Sequence, residues 1–413
     1  MADVKINGDR VLADLYHLRE FGAFKTGVHR PTLSEDDMLA RRWLVEQLTD
    51  IGYDARIDGI ANVIGYCPAV DAKLLAGSHL ESQNEAGWLD GALGVVYALE
   101  AARAISVAPG YEDVGVDVIA FADEEAHFGS FLGSYSFVGE LDDATIDAAS
   151  DRTHGTRMRD ALAAAGLAGR PREYIQKERY VGFLEAHIEQ GDWLEANNLT
   201  IGIVTSIVSI SQFRITFEGD QNHAGTTRMA IRRDAGVAAV QFCHELGQTF
   251  ASHAGERTVW TIGRITLEPG APSIIPGRAV VLFQFRDADP SKLEELECVL
   301  RESVTLADDK GPCRVKLETI SKSVPTLMDP SIQSAIEVAA EAHASQQYAR
   351  MPSGAGHDAQ NLARYMPTGM LFVPSIGGIS HHYSENTSDE DIVIGARVFA
   401  SAAAHLLKPT PTS

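Results

Sequence analysis

Apolar and polar positions along the chain follow two patterns, one with helical spacing and one of short, nearly continuous apolar runs. Residues 7–21 and 34–51 have the spacing of amphipathic helices, and Ser34 is a typical N-cap for the second. Residues 114–122 form an apolar run of the kind found in buried parallel strands. Further strands are predicted at 53–58, 61–66 and 73–77, and further helices at 91–105 and 390–407. Strands that alternate with helices predict an α/β layer, in which ligands bind near the carboxyl ends of the strands.

The middle of the chain has a different order of elements. Strands are predicted near 212–219, 258–267, 278–286 and 313–320, with helices at 233–254 and 290–307. This βαββαβ order is typical of a small antiparallel α+β domain. We therefore expect a catalytic domain formed by 1–208 and 327–413, interrupted by an inserted domain over 209–326. The terminal segment 408–413 is predicted to be disordered.

Composition narrows the kinds of partner that the protein can have. A chain of 413 residues is long enough for two hydrophobic cores. Its net charge of −22 argues against nucleic acid or an anionic membrane as a partner, because both require clustered Lys and Arg. The four cysteines form no CxxC pair, and we expect neither a signal peptide nor a membrane-spanning segment. These observations predict a cytoplasmic protein.

The most informative stretch is 76–94, a loop punctuated by glycines between two apolar runs. It contains His79, Glu81 and Asp90. His79 and Asp90 are suitable metal ligands, and Glu81 is placed to accept a hydrogen bond from the other ring nitrogen of His79. The alternative is a polar loop with an incidental histidine, since short motifs also match by chance.

Potential ligands recur at other loop and strand-end positions. Five side chains qualify: His79, Asp90, Glu125, His187 and His381. Imidazoles mixed with carboxylates suit Zn²⁺ or Mn²⁺, cobalt and nickel can share such ligands, and Asp90 could bridge two ions. Glu124, beside Glu125 at a strand end, is placed to take the proton of an attacking water.

Several longer motifs are specific enough to indicate a family. They are His187-Ile-Glu-Gln-Gly, Asn222-His-Ala-Gly-Thr-Thr, Pro352-Ser-Gly-Ala-Gly-His-Asp-Ala, Val373-Pro-Ser and Gly378-Ile-Ser-His. With these motifs the chain resembles the metal-dependent amidohydrolases of the M20 peptidase superfamily. The resemblance is to the branch of N-carbamoyl-L-amino acid hydrolases, β-ureidopropionases and allantoate amidohydrolases. It extends from Gly27-Val-His-Arg-Pro-Thr-Leu-Ser to the last helix.

The resemblance implies an architecture and a catalytic apparatus. The catalytic domain would be zinc-aminopeptidase-like, with a mixed sheet flanked by helices, and 209–326 would be a ferredoxin-like dimerisation domain. Two divalent ions per subunit would bind to the five ligands, with Asp90 as the bridge. Glu124 would act as general base and acid, with Glu81 orienting the ring of His79. His223, acting in trans in a homodimer, would stabilise the oxyanion of the tetrahedral intermediate.

The resemblance also implies substrate contacts. Arg286 would clamp a substrate carboxylate, for which a bidentate guanidinium is suited. Gln190 would contact the ureido or amide group. The far wall of the pocket would be formed by Gly354, Gly356 and His357.

Some of these roles have structural alternatives. Arg286 ends a strand and can instead form a structural ion pair. His382 adjoins His381 and would be the ligand if the register shifted by one residue. His357 and Asp358 can form a structural hydrogen-bonded pair. The other histidines lack comparable sequence context and are expected to be ordinary surface or cap residues: His17, His29, His127, His154, His244, His253, His343 and His405.

The chain departs from the family pattern at positions near the expected pocket. Glu81 replaces an aspartate, Ser273 an asparagine that usually contacts the substrate, and Tyr135 an arginine. Ala126 lies in Glu-Ala-His-Phe-Gly where Glu-Gly-Ser-Arg-Phe is common, and Arg228 replaces a proline. We therefore expect the chemistry to be retained, while the substrate can differ from a standard carbamoyl amino acid.

The predicted function is hydrolysis of a linear carbon–nitrogen bond other than a peptide bond. The substrate would be a small N-carbamoyl amino acid or a related ureido acid that bears a carboxylate. One alternative is an aminoacylase or dipeptidase that uses the same site on an N-acyl group. A lesser alternative is a degenerate relative that binds metal or ligand without catalysis, supported mainly by the replacement at Glu81.

Overall fold

The structure, a computed structural model, describes residues 4–68, 72–255 and 257–408. Its strands are β1 (Ala23–Phe24), β2 (Gly27–Val28), β3 (Asp54–Ile57), β4 (Val63–Tyr66), β5 (Lys73–His79), β6 (Gly115–Phe121), β7 (Tyr180–Ile188), β8 (Ile201–Ile207), β9 (Ser209–Glu218), β10 (Asn222–His223), β11 (Val259–Glu268), β12 (Ile274–Ile275), β13 (Arg278–Asp287), β14 (Arg314–Lys322), β15 (Thr326–Leu327), β16 (Tyr348–Ser353) and β17 (Thr368–Val373). Its α-helices are α1 (Gly8–Glu20), α2 (Glu35–Asp50), α3 (Ala92–Ser106), α4 (Leu132–Phe137), α5 (Asp143–Ala148), α6 (Met158–Ala164), α7 (Trp193–Ala196), α8 (Ala235–His253), α9 (Pro290–Lys310), α10 (Pro330–His343), α11 (Ala359–Leu362) and α12 (Asp389–Leu407). The segment 409–413, part of the terminus predicted to be disordered, lies outside the described residues.

The chain divides into two compact units. A large unit comprises Met1–Thr205 and Leu327–Ser413, and an inserted unit comprises Ser206–Thr326. Throughout the described ranges, every helix is too short or too polar to cross a lipid bilayer.

The large unit is built on a mixed sheet. Among the described residues, nine strands form it, in the order β15-β8-β17-β7-β5-β6-β4-β3 with β16 beside β8. The neighbouring strands β17, β7, β5 and β6 are parallel, while β8 and β4 pair antiparallel at either side of them. The predicted α/β class, with a mixed sheet flanked by helices, is confirmed.

Burial explains the apolar sequences at the centre of this unit. All seven residues of β5 and all seven of β6 are buried, which is why these strands show no polar alternation. Helix α3 is buried from Ala92 to Ile105 because it contacts β5, β6 and α12, and most of its residues are therefore apolar. This packing fixes the loop that precedes α3.

Parallel strands bring their carboxyl ends to one edge of the sheet. Strand β5 ends at His79, β6 ends four residues before Glu125, and His187 is the penultimate residue of β7. Because β5 lies between β6 and β7, these three side chains converge at the same edge.

The inserted unit is an antiparallel sheet with two helices. Within its described residues the strand order is β11-β13-β9-β14, and α8 and α9 pack against the sheet. Residues of β9 alternate between buried and half-buried, because one face of the sheet is covered by these helices. A separate short pairing joins β10 to β12. The core described for this unit includes six phenylalanines: Phe213, Phe217, Phe242, Phe250, Phe283 and Phe285.

Candidate active site

The five predicted ligands lie together at the carboxyl edge of the large unit's sheet. His79 and His187 come from adjacent strands, and Asp90 lies just before α3. Glu125 follows β6. His381, with a positive φ of 55°, lies in the loop between β17 and α12. The structure thus brings together residues that are separated by up to about three hundred positions in the sequence.

Asp90 lies at the centre of the group. Its Oδ1 atom is 3.5 Å from His79 Nε2 and 3.0 Å from His187 Nε2. Its Oδ2 atom is 3.5 Å from His381 Nε2, which is itself 3.8 Å from Glu125 Oε2. The ligands therefore form two triplets that share the Asp90 carboxylate. The first is His79, Asp90 and His187, and the second is Asp90, Glu125 and His381; within each, the ligand atoms lie within 4.8 Å of one another. This spacing is suitable for one ion per triplet.

The two strand-borne histidines present the same ring nitrogen to the group. The Nδ1 atom of His79 is 3.0 Å from the backbone carbonyl of Glu81, and that of His187 is 2.9 Å from the carbonyl of Ile188. Each Nδ1 therefore carries the proton and donates, which leaves the lone pair on Nε2; that of His187 accepts from the N–H of Gly91 at 3.3 Å. The Nε2 atom of His79 and the Oε1 atom of Glu125 are buried without a hydrogen-bond partner. A metal ion fits these orphaned ligand atoms.

The group brings together three carboxylates that have little exposure to solvent: Asp90, Glu124 and Glu125. Burial, together with neighbouring carboxylates, raises the pKa of Glu124 well above its usual range and also raises that of Glu125. Burial opposes the charged form of His79, but the carboxylates of Glu124 and Asp90 outweigh it and raise the imidazole pKa well above the usual value. A divalent cation would compensate this charge.

Glu124, the predicted base, lies beside the first triplet. Its side chain is 10% exposed, and its Oε2 atom is 3.7 Å from His79 Nε2. The carboxylate therefore faces the position where an ion bound through His79 would lie. A proton acceptor in this place is within reach of a water held at the site.

The predicted role of the Glu81 carboxylate in orienting His79 is wrong. The His79 ring donates instead to the backbone carbonyl of Glu81. The Glu81 carboxylate turns into the interior, where it accepts from the backbone N–H of Glu124 at 2.7 Å and from Arg41 at 2.5 Å. A buried carboxylate requires such a partner, and the buried guanidinium of Arg41 supplies it.

Gln190, predicted to contact the substrate, lies among the metal ligands. Its backbone φ is 59°, and its N–H donates to Ser375 Oγ at 3.1 Å. The side-chain Nε2 atom donates to Asp90 Oδ2 at 2.9 Å and lies 3.3 Å from His381 Nε2. The amide therefore faces the second triplet.

The residues predicted to form the pocket wall have different environments. Gly354 is exposed, and a side chain at Gly356 would contact the ring of Phe131. His357 is buried, with its ring centroid 4.5 Å from that of His187 in an edge-to-face contact. His357 therefore braces a predicted metal ligand instead of lining an open wall.

The structure disfavours two of the alternatives raised by the sequence, the His357–Asp358 pair and His382 as the ligand. His357 Nε2 pairs with Ser353 Oγ at 2.9 Å, and neither carboxylate oxygen of Asp358 has a hydrogen-bond partner, so the His357–Asp358 pair is not formed. His381 and not His382 faces Asp90, whereas His382 Nδ1 pairs with Ser384 Oγ.

His223 is exposed in the inserted unit, at the end of the short strand β10. Its Nδ1 atom accepts hydrogen bonds from the backbone N–H groups of Gly225 at 3.0 Å and Thr226 at 3.2 Å. Because Nδ1 is an acceptor, the proton of the neutral ring is on Nε2. Ser273 lies close by, since its carbonyl accepts from the N–H of Ala224 at 2.9 Å.

Arg286 lies in β13, in the middle of the inserted unit's sheet. Its backbone pairs with Ile210 on one side and Val259 on the other. The side chain is half-buried, and this burial lowers the pKa of the guanidinium. Such a group remains a cation at neutral pH.

One histidine expected at the surface is buried. His127 is 1% exposed, its Nδ1 atom lies 3.1 Å from Thr32 Oγ1, and burial lowers the pKa of its ring to about 4. This burial could not be predicted from sequence, because His127 lies in a polar loop that is buried by contact with a distant segment.

Sequence reasoning missed residues that support the ligands. Glu385, four residues after His381, is buried and accepts from the backbone N–H groups of Leu89 at 3.3 Å and Asp90 at 3.1 Å. Gln83 donates to Glu125 Oε2 at 2.6 Å. Both residues lie in polar loops, where no periodicity separates a buried supporting side chain from a solvated one. Proximity to a ligand in the sequence was the only available signal.

Comparison with known proteins shows the family to which the chain belongs. The sequence profile of peptidase family M20/M25/M40 matches residues 70–405. A ureidoglycolate hydrolase of Oryza sativa subsp. japonica is 33% identical over 92% of this chain and 80% of its own. An N-carbamoyl-L-amino-acid amidohydrolase of Paenarthrobacter aurescens is 32% identical over 95% and 97%. The crystal structure of an amidase of the hydantoinase/carbamoylase family from Burkholderia phymatum has a TM-score of 0.91, with 46% identity over 98% of each chain.

The fold and the ligand set define a metal-dependent amidohydrolase, as the sequence predicted. The chain belongs to peptidase family M20/M25/M40. The predicted enzyme class, a hydrolase of carbon–nitrogen bonds other than peptide bonds, is confirmed by its relatives.

Proposed function

We propose that this protein hydrolyses the ureido bond of a small carboxylate-bearing substrate, an N-carbamoyl amino acid or a related ureido acid. The observation that carries the proposal is the pair of ligand triplets sharing Asp90, with Glu124 Oε2 3.7 Å from His79 Nε2. We further propose two ions per subunit, one per triplet, with zinc or manganese best suited to the mixed imidazole and carboxylate ligands. Cobalt and nickel can also be held by such ligands.

Bound divalent ions would polarise the scissile carbonyl and make an attacking water more acidic. Glu124 accepts the proton of that water and passes it to the leaving nitrogen. The position of its carboxylate supports this role, because Glu124 Oε2 faces the site from 3.7 Å beyond His79 Nε2, within reach of a water held there. Loss of the carbamoyl group would yield an amino acid, carbon dioxide and ammonia.

His223 is proposed as the oxyanion donor, contributed to the site of a partner copy in a homodimer. The hydrogen bonds from Gly225 and Thr226 to Nδ1 support this role, because they leave the proton of the neutral ring on Nε2 of an exposed residue. A donor that is preorganised in this way needs little reorganisation to bind the negative charge that develops on the oxyanion. Ser273, next to His223, is proposed to contact the substrate at the position where the family has an asparagine.

Arg286 is proposed to bind the substrate carboxylate through its planar, bidentate guanidinium. Gln190 is proposed to contact the ureido group from the side of His381 and Asp90. Gly354 and Gly356 are proposed to form the far wall of the pocket, and His357 is proposed to support His187 through their edge-to-face contact. A cytoplasmic location stays a prediction.

A substrate panel tests the proposal. Metal-replete protein is assayed for ammonia with N-carbamoyl amino acids, ureidopropionate, ureidoglycolate and allantoate, and for amino acid release with matched N-acetyl amino acids. We expect ammonia from at least one ureido acid and little turnover of the N-acetyl controls. Turnover confined to N-acyl substrates would replace the proposal with an aminoacylase. Inert protein that holds less than one ion per chain would show that the site has lost catalysis.

A further inference from the structure

The carboxylate of Glu81 and the guanidinium of Arg41 form a buried pair directly behind Glu124. Both side chains are fully buried, and they are joined by a 2.5 Å ion pair. The other oxygen of Glu81 accepts the backbone N–H of Glu124 at 2.7 Å. A single buried carboxylate thus connects helix α2, which carries Arg41, to the backbone of the proposed base.

Arg41 is anchored from several directions at once. Its NH1 group donates to the carbonyl of Ala61 at 2.8 Å and to that of Phe121, the last residue of β6, at 3.2 Å. Its Nε atom is 3.0 Å from the carboxylate of Asp37, one helical turn earlier. A guanidinium held at each of its edges has little freedom to move, so the oxygen that it fixes on Glu81 is held firmly.

The backbone around Glu124 requires such support. Asp123 and Ala126, on either side of the two glutamates, have φ values of 60° and 58°, in the left-handed region that non-glycine residues rarely adopt. The Asp123 carboxylate fixes the downstream side of this turn, since it accepts from the N–H groups of His127 at 2.9 Å and Gly129 at 2.7 Å. Glu81 fixes the turn at Glu124 itself. Strained backbone persists only where surrounding contacts determine it in this way.

We propose that Glu81, held by Arg41, is a positioning residue that directs Glu124 toward the reacting water. The inference rests on the proposed function, because it assigns Glu81 a role through the proposed base. The Glu81 side chain therefore affects the base and not the metal ligand His79, because the ring of His79 is oriented by the backbone carbonyl of Glu81. Shortening the Glu81 side chain should therefore affect Glu124 without disturbing His79.

Glu81→Asp tests this directly, because the shorter side chain cannot reach both Arg41 and the Glu124 N–H. We expect kcat to fall by about 10- to 100-fold, since displacing a reacting group by about 1 Å has an effect of this size. KM and the metal content of the purified protein should stay unchanged. Hydrogen exchange at the Glu124 amide should become faster, a result that does not depend on activity.

Glu100→Asp is the matched control. Glu100 is also fully buried, and it accepts from the backbone N–H of Asn7 at 2.6 Å and from Arg10 at 2.8 Å, in contacts made by α3 away from the ligands. This variant has the same shortened carboxylate beside an arginine and a backbone amide. It should lose stability without a change in kcat or in exchange at Glu124.

A double-variant cycle with Glu124→Gln completes the test. If Glu81 acts through Glu124, adding Glu81→Asp to Glu124→Gln changes the residual rate by less than about twofold. Additive losses would overturn the inference, as would normal kcat in Glu81→Asp, or loss of metal from that variant with recovery on adding metal. If Glu81→Asp does not fold, Arg41→Lys should give the same loss of kcat at full metal content, and a normal rate there would also overturn it. Full activity of Glu124→Gln alone would instead refute the role of Glu124 as the base, and only a wild type that releases no ammonia from any ureido acid would refute the proposed function.

Discussion

Gly91 offers a sharp test of how the structure shapes the site, because it leaves room for the ring of His79. Gly91 lies directly after Asp90 and has a φ of 69°. A Cβ atom at this position would be 2.4 Å from both Cε1 and Nδ1 of His79. Gly91→Ala therefore introduces a methyl group against the face of a proposed metal ligand.

The magnitude follows from these distances. Carbon atoms in favourable contact are about 3.5–4.0 Å apart, so the His79 ring would have to move by roughly 1 Å. Metal–ligand distances tolerate changes of only about 0.2 Å. The ring is enclosed, because His79 is fully buried, and it cannot retreat freely. We expect metal affinity to fall about 100-fold, at the upper end of the effect of altered ligand support, with kcat lost in proportion to occupancy.

The assay is metal titration of the apo-protein, followed by kcat at saturating metal. Gly166→Ala is the control, because Gly166 has a φ of 74° and nothing within 4 Å of the added Cβ. It carries the same backbone strain, about 1–2 kcal/mol, without the contact to His79. If Gly91→Ala binds metal as tightly as the wild type, His79 is not a ligand in the orientation described here.

Three further predictions concern the substrate, the partner copy and the metal. His223→Ala should lower kcat by about 10²- to 10³-fold. If His223 acts in trans, each mixed dimer of His223→Ala with Glu124→Gln has one intact site, so a 1:1 mixture should regain about a quarter of the wild-type sites after subunit exchange. No recovery after verified subunit exchange would place His223 in its own subunit's site. Arg286→Lys should raise KM about tenfold for a carboxylate substrate and leave KM for the matching carboxamide unchanged. Equal effects on both substrates would refute the proposal that Arg286 binds the substrate carboxylate. Chelation should abolish turnover, and zinc or manganese should restore it; activity that survives verified metal loss would contradict the proposed chemistry.

Much of the large unit could be predicted because its elements are buried on both faces. The apolar runs of β5 and β6 and the apolar helix α3 have sequences that local patterning identifies. The loop from His79 to Asp90 lies between two of these elements, so its place at the carboxyl edge of the sheet followed directly. The roles proposed for these ligands depended on the family resemblance as well.

The partner of Glu81 could not be predicted in the same way. Arg41 is forty residues away, in a helix where Arg41 and Arg42 look alike in sequence, yet only Arg41 is buried. Which arginine faces the interior depends on how α2 packs on the sheet, and that is a tertiary property. The burial of His127 against Thr32 has the same origin. Polar residues in loops and on helices carry no periodic signal that reveals such contacts.

The role of Glu124 is decided by the rate of ammonia release by Glu124→Gln at a metal content equal to that of the wild type. Glutamine keeps the size of the side chain but cannot accept and return a proton. If Glu124 is the base, the variant should have normal metal content and nearly unchanged KM. Its kcat should fall by about 10²- to 10⁴-fold, the usual contribution of a general acid–base group. Wild-type turnover by this variant would contradict the assignment of Glu124 as the base.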